Sequence, residues 1–148
     1  MNIDIQYIKV LTASIVGVIF VYVFYVIYLN VSLGAKVEEV DRLKSIWSNR
    51  KNMNYSYTVR KSCMFSNSYH VVHRNGKTTY IDIDDELSGA QKIDMLGIFD
   101  LAKKAISEAY QYSIKYSSFG YPELIDVNWK LETYDDECSI QVSDFRQI

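Results

Sequence analysis

The sequence predicts an α+β protein. One N-terminal transmembrane helix precedes a small domain with a mostly antiparallel sheet, about five to six strands, covered by one long helix in the order α-βββ-α-βββ. The prediction rests first on the stretch between Lys9 and Lys36, which carries no charged residue. It rests also on an Asn75-Gly76 pair between two β-rich runs, and on apolar residues at helical spacing from Met95 to Ala109. The expected organisation is a short tail (1–9), an anchor (10–35) and a domain (36–148).

The chain has 148 residues and a formal charge of −2, with 13 Tyr and a single Pro. Beyond the anchor, about 110 residues remain, enough for one small domain with a modest core. Near-neutral charge argues against a nucleic-acid partner, which needs a clustered basic face. Many aromatics with little Pro or Gly describe a folded chain.

The anchor runs from Val10 to Ala35, and its densest part reads VGVIFVYVFYVIYL. About 20 apolar residues cross the hydrocarbon of a bilayer, so membrane lipid is an expected partner of this segment. A cleaved signal sequence would have an apolar region of about 7–15 residues behind a basic start. Here the run is longer, Lys9 is offset by Asp4, and only Ser32 and Gly34 offer a small-x-small site. A retained anchor is therefore expected. Tyr7, Tyr22, Tyr25 and Tyr28 suit a headgroup-level belt. Ala13 and Gly17 form a small-xxx-small pair for helix packing, the basis for a weak homo-oligomer or for membership of a membrane assembly.

Charge does not fix the orientation. Lys9 stands on one flank, and Lys36, Arg42, Lys44, Arg50 and Lys51 stand on the other. The positive-inside rule would place the domain in the cytoplasm, yet long domains cross membranes largely regardless of charge.

Val37, Val40, Leu43, Ile46 and Trp47 recur at helical spacing, so an amphipathic helix should lay Trp47 on the core, with Gly34 allowing a bend before it. Tyr55, Tyr57 and Val59 alternate with Ser56, Thr58 and Arg60 in a strand ending near Cys63. The Asn75-Gly76 turn predicts a hairpin that pairs Arg74 with Lys77, Val72 with Thr79 and His70 with Ile81. Val72, Thr79 and Ile81 then share one face, and Tyr69, Val71 and Tyr80 the other. From Asp94 a helix should bury Met95, Ile98, Phe99, Ala102, Ala105, Ile106 and Ala109. Ile114 and Tyr116 mark a short strand, Ile125, Val127, Trp129 and Leu131 the buried side of the next, and Cys138, Ile140 and Val142 one face of the last.

Few residues offer chemistry. Cys63 and Cys138 form one disulfide if the domain faces an oxidising compartment, and otherwise remain buried thiols. His70 and His73 lie three apart on a strand, hence on opposite faces, where they cannot share a metal. Asp82, Asp84, Asp85 and Glu86 form one acidic cluster, and Asp135, Asp136 and Glu137 another. Together they are weak Ca²⁺ candidates, since that ion wants six to eight oxygens. Leu87 occupies the place where an EF-hand loop needs Gly. No metal or other cofactor is expected. Phe119, Tyr121 and Pro122 form a contact-surface candidate, the simpler alternative being a tight turn whose Tyr121 packs on Trp129.

Trp47, Tyr55-Ser56-Tyr57, Cys63, Asn75-Gly76, Lys92-Ile93-Asp94, Ile98-Phe99, Tyr116, Gly120-Tyr121-Pro122, Asp126 and Asp135-Asp136-Glu137 come in that order. This pattern resembles a bacterial family catalogued as a domain of unknown function, number six-one-seven-four, and covers roughly Leu43 to Phe145. The resemblance implies a small secreted, lipoprotein or membrane-anchored protein, and so an exported domain with the N-terminus in the cytoplasm. Two departures stand out. The family often has Cys-x-Cys after the first strand, where this chain has Cys63-Met64-Phe65, and no lipobox Cys is present near the N-terminus. The expected function is a membrane-anchored extracytoplasmic module that binds or supports an envelope protein and does no chemistry. The alternatives are a metal-assisted, Ca-type hydrolase using the acidic clusters, and a membrane-assembly subunit acting through its transmembrane helix.

Overall fold

The computed structural model describes residues 5–50, 53–83, 91–131 and 137–148. The chain separates into two units, Met1–Lys36 and Val37–Ile148. Helix α1, Ile5–Ser48, begins in the first and ends in the second, and Gly34 lies inside it.

In the first unit every residue from Leu11 to Val31 is exposed, although nearly all are apolar. A helix that is apolar all round has no wet face to offer and suits lipid. It is long and apolar enough to cross a membrane.

In the second unit the end of α1 is amphipathic. Val40 and Trp47 are buried, while charged residues between them pair on the surface. Lys103 Nζ lies 2.6 Å from Asp41 Oδ2, and Lys44 pairs with Asp100, tying α1 to α2 (Met95–Glu108). Arg42 and Glu39 are bonded at 2.6 Å, which holds the Glu39 carboxyl below its ordinary range. Exposed ion pairs contribute only about 0–1 kcal/mol each, so the buried side of α1 does most of the anchoring. Helix α2 starts as its sequence demands: the Asp94 carboxylate accepts from Gly97 N at 2.9 Å. Met95, Ile98, Phe99, Ala102, Ala105 and Ile106 are buried along its length.

The sheet contains β1 (Tyr55–Ser62), β2 (Ser66–Arg74), β3 (Lys77–Asp82), β4 (Gln111–Tyr116), β5 (Pro122–Asn128) and β6 (Glu137–Gln147). Their order is β3-β2-β1-β6-β5-β4 with every pair antiparallel, so two three-stranded meanders join along β1 and β6. The β2–β3 hairpin has the register read from Asn75-Gly76, both of which take positive φ. One face of the sheet carries Tyr57, Val59, Tyr69, Val71, Ile125, Ile140 and Val142 into the core under the helices.

The last strand holds a feature that alternation alone does not reveal. Asp144 has φ of 53°, and the β1–β6 register shifts between Ser56 and Thr58. One extra residue in β6 reverses its phase. Phe145, rather than Asp144, then joins the core side, where its ring lies 5.7 Å from Trp47 and 5.2 Å from Tyr121.

The structure departs from the sequence pattern at Leu131 and at Tyr121. Strand β5 stops at Asn128, so Leu131 falls beyond the alternating stretch and is 67% exposed. Tyr121 packs edge-on against Trp47 at 5.6 Å instead of on Trp129. Trp129 instead lies beneath Lys104 Nζ, 5.0 Å from the ring centroid.

Candidate functional site

Extending the β1–β6 register one step past Ser62 and Ser139 brings Cys63 opposite Cys138. The two are bonded, with Cα atoms 4.2 Å apart and a separation of 75 positions in sequence. Closing a loop of that length restricts the unfolded chain by about 4 kcal/mol in the chain-entropy account.

Beside this bond, on the sheet face opposite α2, lies a groove of about 700 Å³. Its floor follows from the registers. Ser113 pairs with Asp126, Asp126 with Ser139, and Ser139 with Ser62, so one row of short polar side chains crosses four neighbouring strands. Directly opposed residues share a face, which makes the row continuous. Ser139 Oγ donates to Asp126 Oδ1 at 2.7 Å. A second row, Gln111, Asn128 and Glu137, forms one wall with Met64. Two residues the other way along each strand stand Lys115, Leu124, Gln141 and Arg60, longer side chains rising beside the serine row. The described residues lining the groove include no Lys, Arg or His.

The other sequence-derived candidates do not gather here. Asp82 pairs with Lys92 Nζ at 2.6 Å, and Glu137 sits exposed at the mouth of the groove. Asp84, Asp85, Glu86, Asp135 and Asp136 lie outside the described residues. Among the described residues no group of His, Cys, Asp and Glu is arranged to hold a metal ion. His70 Nδ1 lies 3.3 Å from Thr58 Oγ1, while His73 stacks on Tyr55 at 4.7 Å, on opposite faces as alternation requires. At the 119–122 tip Tyr121 and Pro122 are buried, so they cannot serve as a contact surface; Phe119 is 57% exposed and leans on Phe145. Ala13 and Gly17 are exposed on α1.

Two buried tyrosines behave oppositely. Tyr69 Oη donates to Ile93 O at 3.1 Å and accepts from Ile93 N at 3.0 Å, bracing the entry to α2. The Tyr57 hydroxyl is buried with no hydrogen-bond partner among the described residues. Burial pushes both phenols above their ordinary pKa, most strongly Tyr57.

Residues 39–147 match the family described as "Family of unknown function (DUF6174)". The chain belongs to DUF6174. No curated protein and no solved structure matches it. The DUF6174 match takes in α2, all six strands, the Cys63–Cys138 bond and the groove. It begins near the end of α1, after the apolar stretch.

Proposed function

We propose that this protein is a single-pass membrane protein whose DUF6174 domain faces away from the cytoplasm and binds an envelope partner without catalysing a reaction. The observation that carries this reading is the Cys63–Cys138 bond. A disulfide joining first and last strands persists in oxidising compartments, whereas the cytosol keeps thiols reduced. With the apolar part of α1 as anchor, that orientation puts the N-terminus in the cytoplasm. The non-catalytic part rests on the groove. Ser139 donates to Asp126, but a lone carboxylate is too weak a base to activate a serine hydroxyl, and neither histidine is among the lining residues to take that role.

The test is labelling of intact cells with a membrane-impermeant maleimide, with and without reductant. Labelling of Cys63 and Cys138 only after reduction is the expected result. Labelling without reductant, and only after lysis, would place the domain in the cytoplasm and overturn the reading.

A further inference from the structure

We infer that the groove crossing β4, β5, β6 and β1 is a binding site for a short neutral oligosaccharide. The inference deepens the binding-module reading and rests on it. Three features of the groove select this ligand class.

The first is shape. A row from Ser113 to Ser62 crosses three strand intervals, about 14 Å at ordinary strand spacing. Serines on the floor leave space where the neighbouring row has Lys115, Leu124, Gln141 and Arg60. The result is a trough perpendicular to the strands, and its volume of about 700 Å³ is that of a small-molecule site.

The second is the kind of polar group. Asp126, Glu137, Asn128 and Gln111 each end in two polar atoms on one planar fork. Such a fork can meet two adjacent hydroxyls of a sugar ring at once, and serine hydroxyls both donate and accept between them. Asp126 gives one acceptor position to Ser139 and keeps others, since a carboxylate has about four lone-pair sites. A peptide strand would instead need free backbone edges. Three of the four strands under the groove, β1, β6 and β5, are already paired on both sides. Only β4, at one end of the serine row, keeps a free backbone edge, which runs across the groove's end and not along it.

The third is charge. Among the described residues the lining carries Asp126 and Glu137 and no Lys, Arg or His. Lys115 and Arg60 stand only in the row beyond the serines, so the floor itself has no cationic partner for a phosphate or carboxylate. Its carboxylates leave two classes, neutral polyols and cations. The fork-and-hydroxyl row favours the polyol, because most of its members are uncharged.

The experiment is calorimetric titration of the full chain in lipid nanodiscs with chitotriose, cellotriose and maltotriose, and with trilysine as the cationic control. Saturable binding of at least one trisaccharide is expected. Asp126→Ala should weaken it by about tenfold or more, by loss of the two-atom fork and the hydrogen bonds it makes. Asp126→Asn, which keeps the fork, should stay within a few-fold, and Ser113→Trp should fill the trough and abolish binding. A thermal melt of each variant guards against unfolding. Binding of trilysine with no trisaccharide, binding indifferent to Asp126→Ala and Ser113→Trp, or no binding of any trisaccharide would overturn the inference. Maleimide labelling is independent of these titrations. An outward domain that binds no sugar would leave the proposed orientation standing and remove only this ligand.

Discussion

Cys63, just past the end of β1, is bonded to Cys138 near the start of β6, directly across the two central strands of the sheet. The bond therefore fastens the line where the two meanders meet.

Replacing both cysteines by serine is expected to lower stability by about 2–5 kcal/mol, the usual consequence of losing a native bridge that closes a long loop. Denaturant melts of the wild type with and without reductant should reproduce most of that loss. Superimposable curves would show that the bond contributes nothing.

Tyr57→Phe and Tyr69→Phe should move stability in opposite directions. Removing the Tyr57 hydroxyl relieves a buried group with no partner among the described residues, a gain of about 1 kcal/mol. Removing the Tyr69 hydroxyl strands both Ile93 N and Ile93 O, a loss of about 1–2 kcal/mol. Equilibrium unfolding of the pair decides it, and equal signs would contradict the assignment.

The raised pKa values of Tyr55, Tyr57 and Tyr69 predict the alkaline behaviour. A phenol whose folded pKa exceeds its unfolded value of about 10 holds its proton more tightly in the native state. Its contribution is complete below about pH 10 and is lost as pH rises toward the folded pKa. Stability should fall above about pH 10, and Tyr57→Phe should shift that fall to higher pH. A spectrophotometric phenol titration run beside far-UV dichroism would check both.

Asp144→Val tests the bulge. A β-branched side chain at positive φ is strained by about 1–2 kcal/mol, and relief comes by undoing the phase change. The near-UV dichroism of the Trp47, Tyr121 and Phe145 cluster should weaken with the melting temperature, while Asp144→Gly should preserve it.

Much of the fold could be read from local pattern. Asn75-Gly76 dictated a register that depends on a two-residue turn, and Asp94 with the apolar spacing after it dictated α2. What escaped was non-local. The alternation from Ile140 breaks in sequence at Asp144 and Phe145, but only the pairing with β1 shows the cause, an extra residue in β6 opposite Tyr57. Asp126 could be placed on the wet side of its strand, but its neighbours Ser113, Ser139 and Ser62 come from three other strands, and no local signal gives their register. Leu131 misled because alternation persists in sequence past the end of β5. Tyr121 misled because Trp47, its actual partner, is 74 positions away.

The sheet order also governs when this domain can be finished. The meander β1-β2-β3 pairs from local sequence, yet its inner strand has no second neighbour until β6 is synthesised. A chain cut short before Glu137 would present β1 and β5 as raw edges, long and apolar on one side, which are templates for aggregation. A chain entering an oxidising compartment would also carry Cys63 unpaired until Cys138 arrived. Completion of the last strand thus closes both liabilities in a single step, and a quality-control protease would have a clear signature by which to tell unfinished chains from finished ones.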